Sequence, residues 1–583
     1  MAHSFCRALI LIAALGAATP SSLVGQECAE GRISFIFVNS RPVFDTANLS
    51  SGKSFGWFFD FANWLHMETD EDFIGREILL RVGDCYDAFL ASESERIIRQ
   101  LGFIASVDVF AVPQADGSVH VIVDTQDEWT LQVTVKARFD EGYEFNGLDV
   151  TEENVLGKGI SARGFYRERR EAREIGGELQ TARFLGTRWD AQLRAGETRV
   201  GPFFQQAFVY PFVGEVGRYA ATQFYTRRED LFAYSLPDGG EYTHVVAPFL
   251  RERTVLTVAG RLGEAGRLTT LGIGISRENL DFARFADGPE VVRNRDFANT
   301  EPAPTELSGP ISSQIQGTSA TRLNLTLGQR HLRFERRAGL DALRGVQDVP
   351  VGSEATLTLG RSLGFLGPDI EKEDNDFFGS VRVFGGLAPG RWVLAGTVAF
   401  QARRVYGGPR EGWRDAIGEI DIFTYWQPAA LHRHTFFARV SGGSGWSMTV
   451  PFQLTLGGAS NLRGYTQDHA PGGRRLMASL EDRMYLWSPG GGLFDLGLTA
   501  FVDAGAVWRG EAPFGSGSGL GVSAGAGLRI GFPGGTRGVM RIDLAFPING
   551  PDAFTEPVFR VTASELLGLL RGPADFQLSR SRR

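Results

Sequence analysis

The chain has 583 residues, roughly three to four times an average domain, with 74 Gly, 25 Pro, 44 Phe and 22% charged residues. That balance excludes a disordered or low-complexity polymer. The net charge of −8 comes from 60 basic and 68 acidic residues; they are spread along the chain, so no basic stripe exists to neutralise phosphates and nucleic acid is excluded as an expected partner.

Residues 1–25 read as a secretory signal peptide. Arg7 precedes an apolar run over 8–18 that ends in small residues and is too short to cross a bilayer as a helix. No later run is longer, so no helical membrane span is expected. Cleavage fits after Ala18 or Gly25, and Cys28 lacks the preceding small residues a lipid anchor needs. Export leaves Cys28 and Cys85 in an oxidising compartment, where two thiols can pair. The sequence cannot bring their Cβ atoms within reach, and unpaired thiols are the favoured expectation.

Residues 26–128 have a mixed pattern. A strand over 33–38 is followed by an aromatic-rich helix or turn over 55–66. A helix over 87–101 carries Leu90, Ile97, Ile98 and Leu101 at helical spacing, with Gly102 at the C-cap position. Strands over 104–113 and 118–125 are joined by Ala115, Asp116 and Gly117 as a hairpin turn. Strand, helix, helix, strand, strand makes a small α/β domain.

From residue 129 to 565 the helical period disappears and alternation takes over. Over 539–548, Met540, Ile542, Leu544, Phe546 and Ile548 oppose Arg541, Asp543 and Ala545. Over 496–503, Leu496, Leu498, Ala500 and Val502 oppose Gly497, Thr499, Phe501 and Asp503; 521–532 repeats the scheme with Gly on its second face. Alternation alone fits a soluble sandwich with the apolar face inward or a membrane barrel with it outward. Strands of about ten residues and aromatic residues near their ends (Tyr485, Trp487, Trp508, Phe532, Phe546) favour an all-β transmembrane barrel of antiparallel strands. Lipid tolerates no open sheet edge, so the sheet must close. Counting gives sixteen to twenty strands, with 284–319, 367–376 and 509–519 as long outer loops and 566–583 as a tail.

The stretch 442–474 is longer than a hairpin needs and holds Leu462, Arg463, Gly464 and Tyr465 in a Gly-rich setting. By alternation Glu481 shares the inner face with Ser479 and Arg483, and Asp503 that of the next strand with Thr499. A lumenal carboxylate pair calls for a cation, and Arg463 on an inward-folded loop can supply it in bidentate form. Three unrelated residues, each solvated in a wet lumen, is an equal reading of the spacing.

Enzyme chemistry finds no support. GVSAG at 521–525 formally matches a serine-hydrolase elbow but lies inside an alternating strand with no following helix. His432 and His434 have no carboxylate or Cys at ligand spacing, and His469 beside Asp468 lacks a nucleophile. No metal, cofactor or catalytic residue is expected.

The run GGASNLRGY, the glutamate of ASLEDRMYL and the strand FVDAG resemble the sixth-loop motif and the two following strands of the outer-membrane assembly superfamily that includes BamA and TamA, also called bacterial surface antigens. The stretch from REILLRVGDCYDAF to TQDEW is similar to a polypeptide-transport-associated (POTRA) repeat, and TEENVLGKG with FLGTRW resembles the start of that barrel. The resemblance implies a sixteen-stranded outer-membrane barrel with a periplasmic POTRA domain, inserting or translocating other proteins. It makes Leu462, Arg463, Gly464 and Tyr465 the loop motif, Glu481 and Asp503 the lumenal partners of Arg463, and Phe501 and Gly505 part of the strand motif. Two departures stand out. A single POTRA domain is evident, and the last strand is followed by a tail in place of a terminal aromatic residue.

A short final strand holding Arg560 and Thr562 would meet the first strand at a weak seam, where a client strand can pair by β-augmentation; the hairpin edge 119–125 offers a second such place. The expected partners are unfolded outer-membrane or secreted clients, outer-membrane lipid, and periplasmic chaperones or accessory proteins. The alternative is a dedicated outer-membrane secretion pore of the two-partner type.

Overall fold

Asp70 and Asp87 each turn a carboxylate onto the free N–H groups of a following helix: Asp70 accepts from Asp72 N, and Asp87 from Phe89 N and Leu90 N. The helices are Glu71–Glu77 and Ala88–Arg99. The second ends at Gln100, not Gly102, because three carbonyls of its last turn already converge on the Gln100 N–H. The first is too short to show a helical period, so it escapes sequence reading. These features belong to a computed structural model that describes residues 28–44, 63–64, 66–139, 143–168, 173–237, 240–282, 288–366, 373–457, 462–466, 469–489, 493–550, 553–555 and 557–564. The signal peptide expected at 1–25, most of the element expected at 55–66, and the tail 566–583 lie outside them.

Both helices pack on a three-stranded sheet of Arg32–Arg41, Ile104–Pro113 and Ser118–Asp127, over a core that includes Ile33, Ile74, Ile98, Val121 and Val123. Ser118–Asp127 is the central strand, parallel to Arg32–Arg41 and antiparallel to Ile104–Pro113. The segment 119–125 is therefore no free edge: its N–H and C=O groups are used on both sides, and the open edges are the two outer strands. Arg32 forms a bridge with Cys85, which places Cys85 beside the start of the first strand; Cys28 and Cys85 form a disulfide there, with Cα atoms 5.2 Å apart. The expectation of unpaired thiols is corrected.

The rest of the chain forms one antiparallel sheet with a closed strand order. The short pair Glu290–Val292 and Thr300–Pro302 hangs beside His244–Glu264, while Arg267–Asp281 pairs directly with Thr318–Ala338. The wall among the described residues is thus of twenty strands, from Leu131–Phe139 to Val558–Ser564. This corrects the sixteen implied by resemblance. Between 131 and 210 the chain already makes six strands, five of them only nine residues long. Their inward charges, such as Arg163, Arg167, Glu174 and Arg194, hide the apolar alternation. Closure among the described residues is slight: Phe559 pairs with Phe139 and Arg560 with Arg138, against seventeen pairs between Tyr219–Ser235 and its successor.

The wall is inside-out relative to a soluble protein. On Asp495–Trp508, Leu498 and Val502 are 42% and 43% exposed, whereas Thr499 and Asp503 are 2% and 1% exposed. Leu271, Ile273 and Ile275 on one strand and Leu323, Leu325 and Leu327 on another are also exposed. A sandwich would bury these and expose Asp503. No helix among the described residues is long and apolar enough to cross a membrane.

The small domain lies across one end of this ring. Glu77 pairs with Arg183, Glu93 accepts from the Glu215 N–H, and Arg99 Nη1 lies 2.7 Å from Asp348 Oδ1. Arg537 donates to the carbonyls of Leu101 and Ile104, at 2.8 and 2.9 Å. Burial pushes the Glu93 carboxyl up, and its bonds to Arg96 pull it further down, to below the usual carboxylate value. At Glu128 burial wins over Arg537 and the carboxyl is raised.

Candidate functional site

The loop 447–473 joins the fifteenth wall strand, His434–Trp446, to the sixteenth, Arg474–Trp487. Strand continues to Trp446, so the loop starts later than the 442 expected from sequence. Loops at the end of the ring away from the small domain follow odd-numbered strands, which makes this the eighth of them and not the sixth that the resemblance implies, with four wall strands after the sixteenth. It runs inward. Met448, Val450, Phe452 and Leu454 pack with Phe232, Tyr234 and Phe249 of other strands, and Leu454–Leu456 pairs with Ala470–Gly472.

The tip follows. Leu462 is fully buried with Leu456, Ala470, Met477 and Val507. The Tyr465 N–H donates to the Leu462 carbonyl at 3.3 Å and closes a tight turn that aims Arg463 at the wall. Gly464 lies flat on that wall: a Cβ there would sit 2.6 Å from Ser523 Cβ and 2.7 Å from the Phe546 carbonyl carbon, so no larger residue fits without moving the tip. The Tyr465 hydroxyl donates to Asn549 Oδ1 at 2.9 Å, and its carbonyl accepts from Arg560 Nη2 of the last strand at 3.1 Å.

Arg463 meets both of its expected partners. Its Nε and Nη2 lie 2.6 and 2.7 Å from the two oxygens of Asp503, and Nη1 lies 2.8 Å from Glu481 Oε1. The guanidinium covers the Phe501 ring, 3.5 Å from its centroid. Ser479 donates to Asp503 Oδ1 at 2.6 Å. Gly505, two residues on, lets Met477 approach: a Cβ would stand 2.8 Å from its methyl carbon. A bidentate carboxylate, a second carboxylate and an aromatic face together meet the demands of a buried cation.

Sequence reasoning stopped short of the rest of the cluster. Glu481 Oε2 accepts from Arg483 Nε at 2.8 Å, and Arg541 bridges Glu481 and Asp543 at 3.3 and 3.2 Å. Asp543 and Arg541 stood on the polar face of their strand, but only the curvature of the wall brings that face to Glu481. Arg483 continues to Asp341 Oδ1, 2.9 Å away in the turn 339–345; no pattern links residues 142 positions apart.

The other candidates fall elsewhere. Ser523 of GVSAG lies within the strand Gly521–Gly531, buried beside the loop tip. His434 Nδ1 is 2.9 Å from Asp482 Oδ1, a cross-strand partner the sequence did not suggest. The His469 ring packs on Tyr465, and Asp468 lies outside the described residues. Among the described residues no group of three His, Cys, Asp or Glu side chains is placed to hold a metal ion.

Residues 423–565 match the Omp85 superfamily domain. No curated protein matches the chain. Solved structures similar to it include BamA from Haemophilus ducreyi lacking POTRA domains 1–3, at 15% identity over 91% of this chain and 84% of that one, with a TM-score of 0.37. CdiB from Acinetobacter baumannii is 11% identical over 91% and 73%, TM-score 0.41, and CdiB from Escherichia coli 13% over 94% and 92%, TM-score 0.33. The clasp and the strands that build it thus lie within the segment that matches the Omp85 superfamily domain.

Proposed function

We propose that the protein is an outer-membrane insertase: a transmembrane barrel that helps fold and insert other β-barrel or surface proteins, with residues 26–128 as a periplasmic POTRA domain and 1–25 as the export signal. The observation that carries this reading is the seam. Among the described residues two pairs join the first and last strands of a wall whose other neighbours share up to seventeen, so the seam is where backbone N–H and C=O groups are most easily offered to an incoming strand. The exposed apolar face of the wall, suited to lipid, supports placement in the outer membrane. The small domain's open edges, Arg32–Arg41 and Ile104–Pro113, are a second place for client strands. Unfolded clients, outer-membrane lipid and periplasmic chaperones or accessory proteins are the partners this requires.

The test is depletion of the protein with quantitative proteomics of the outer membrane and the culture medium. A broad fall in other barrel proteins with the medium unchanged is expected. Loss of one secreted protein with other barrels intact would instead establish a dedicated secretion pore.

A further inference from the structure

The turn 339–345 joins the tenth and eleventh wall strands, Thr318–Ala338 and Val346–Ser362, yet its contacts are made far round the ring. Leu340 is buried against Val393, Tyr425 and Phe437 of the thirteenth, fourteenth and fifteenth strands. Asp341 accepts from the Tyr425 hydroxyl at 2.6 Å and from Arg483 of the sixteenth strand at 2.9 Å, and its carbonyl accepts from Arg529 of the eighteenth. Arg344 Nε lies 2.8 and 3.0 Å from the carboxylate of Asp495, on the seventeenth. A round ring of twenty strands would be on the order of 40 Å across, from strand spacing and tilt. A turn of this length meets strands five to seven places away only by folding into the lumen where the ring is flattened.

The small domain grips this turn from outside. Arg99, at the end of the helix Ala88–Arg99, pairs with Asp348, and Glu95 of the same helix pairs with Arg336. Residues 336 and 348 lie on the two stems of the turn, and Gln347 between them accepts from the Asp341 N–H at 3.0 Å. One helix thus holds both stems, and the turn's tip holds Arg483, which holds Glu481 of the clasp.

We propose that the turn 339–345 is an inner plug of the lumen, kept in place by the helix Ala88–Arg99 and freed when that helix shifts. The proposal does not depend on whether clients are inserted or secreted. Asp341 and Arg344 of the plug meet Arg483, Arg529, Asp495 and Tyr425, charged and polar contacts that water can replace when the plug leaves, while Leu340 supplies the apolar hold against Val393 and Phe437. A packed apolar stopper would lack this property.

The reporter is Thr499→Cys, a buried wall position that pairs with Arg483. The native cysteines of the described chain are tied in the disulfide and do not compete. Labelling by a membrane-impermeant sulfonated maleimide is measured on the protein from residue 26 onward, which lacks Cys6, in detergent, with heat-dependent gel mobility as the check that the barrel is closed. Slow labelling is expected with the turn intact. Replacing 340–344 by Gly-Asn should raise the rate at least tenfold, and the milder pair Asp341→Asn with Arg344→Ala should raise it without shortening the chain. Arg99→Ala, which removes the helix's pairing with Asp348 and leaves the turn's own residues intact, should raise it by a smaller factor. An unchanged rate in the folded Asp341→Asn, Arg344→Ala variant overturns the plug; a rise there with none in Arg99→Ala overturns control by the helix.

Discussion

At the scale of one residue, Arg463 decides whether the loop tip stays on the wall. Its side chain neutralises Asp503 and Glu481, both almost fully buried. Arg463→Ala removes the cation of Asp503 and leaves Glu481 to Arg483 and Arg541, a change that costs about 3–5 kcal/mol for a buried pair. The expected outcome is a lower temperature for loss of the folded gel band and faster proteolysis within 447–473. Arg463→Lys should recover only part, since an ammonium cannot span both oxygens of Asp503 while reaching Glu481. Arg463→Ala combined with Asp503→Ala should be less harmful than the sum of the single changes, because the second removes the charge the first exposes. Equal and additive losses would mean that the ion pair contributes nothing.

At the scale of elements, the first and last strands carry the prediction. Phe139 and Phe559 stand opposite each other, so Phe139→Cys with Phe559→Cys places two thiols across the seam. Oxidised, this variant should retain heat-dependent mobility and lose the capacity to support assembly of other barrels; reduction should restore it. Retained function with the crosslink formed would eliminate strand exchange at the seam. The last strand is linked to the clasp as well, through Arg560 and the Tyr465 carbonyl. Loosening the tip is therefore expected to loosen the seam.

At the scale of the whole molecule, the reversed burial of the wall predicts contact with lipid. Trp392, Trp426, Trp487 and Trp508 are between 37% and 54% exposed. Reconstituted in vesicles of brominated phosphatidylcholine, their fluorescence should be quenched relative to plain lipid; equal emission would show that this face does not meet acyl chains. Much of this was legible in the sequence, because a period of two is a local property and Arg463, Glu481 and Asp503 lie within 41 residues of one another on consecutive elements. The number of strands was legible only as a range of sixteen to twenty, whose upper end the wall meets. The disulfide and the contact of Asp341 with Arg483 were not legible, since they depend on a bridge at Cys85 and on a fold of the turn that no local rule encodes.

The position of the loop along the wall has a consequence for how such a ring can change size. Four strands separate the loop's downstream strand from the seam, and fifteen wall strands precede the loop. Antiparallel hairpins enter or leave a closed sheet in pairs without reversing any neighbour, so circumference can grow two strands at a time on the N-terminal side. The clasp, its carboxylates and the closing edge form a unit of fixed register, while the remainder of the ring acts as an adjustable spacer.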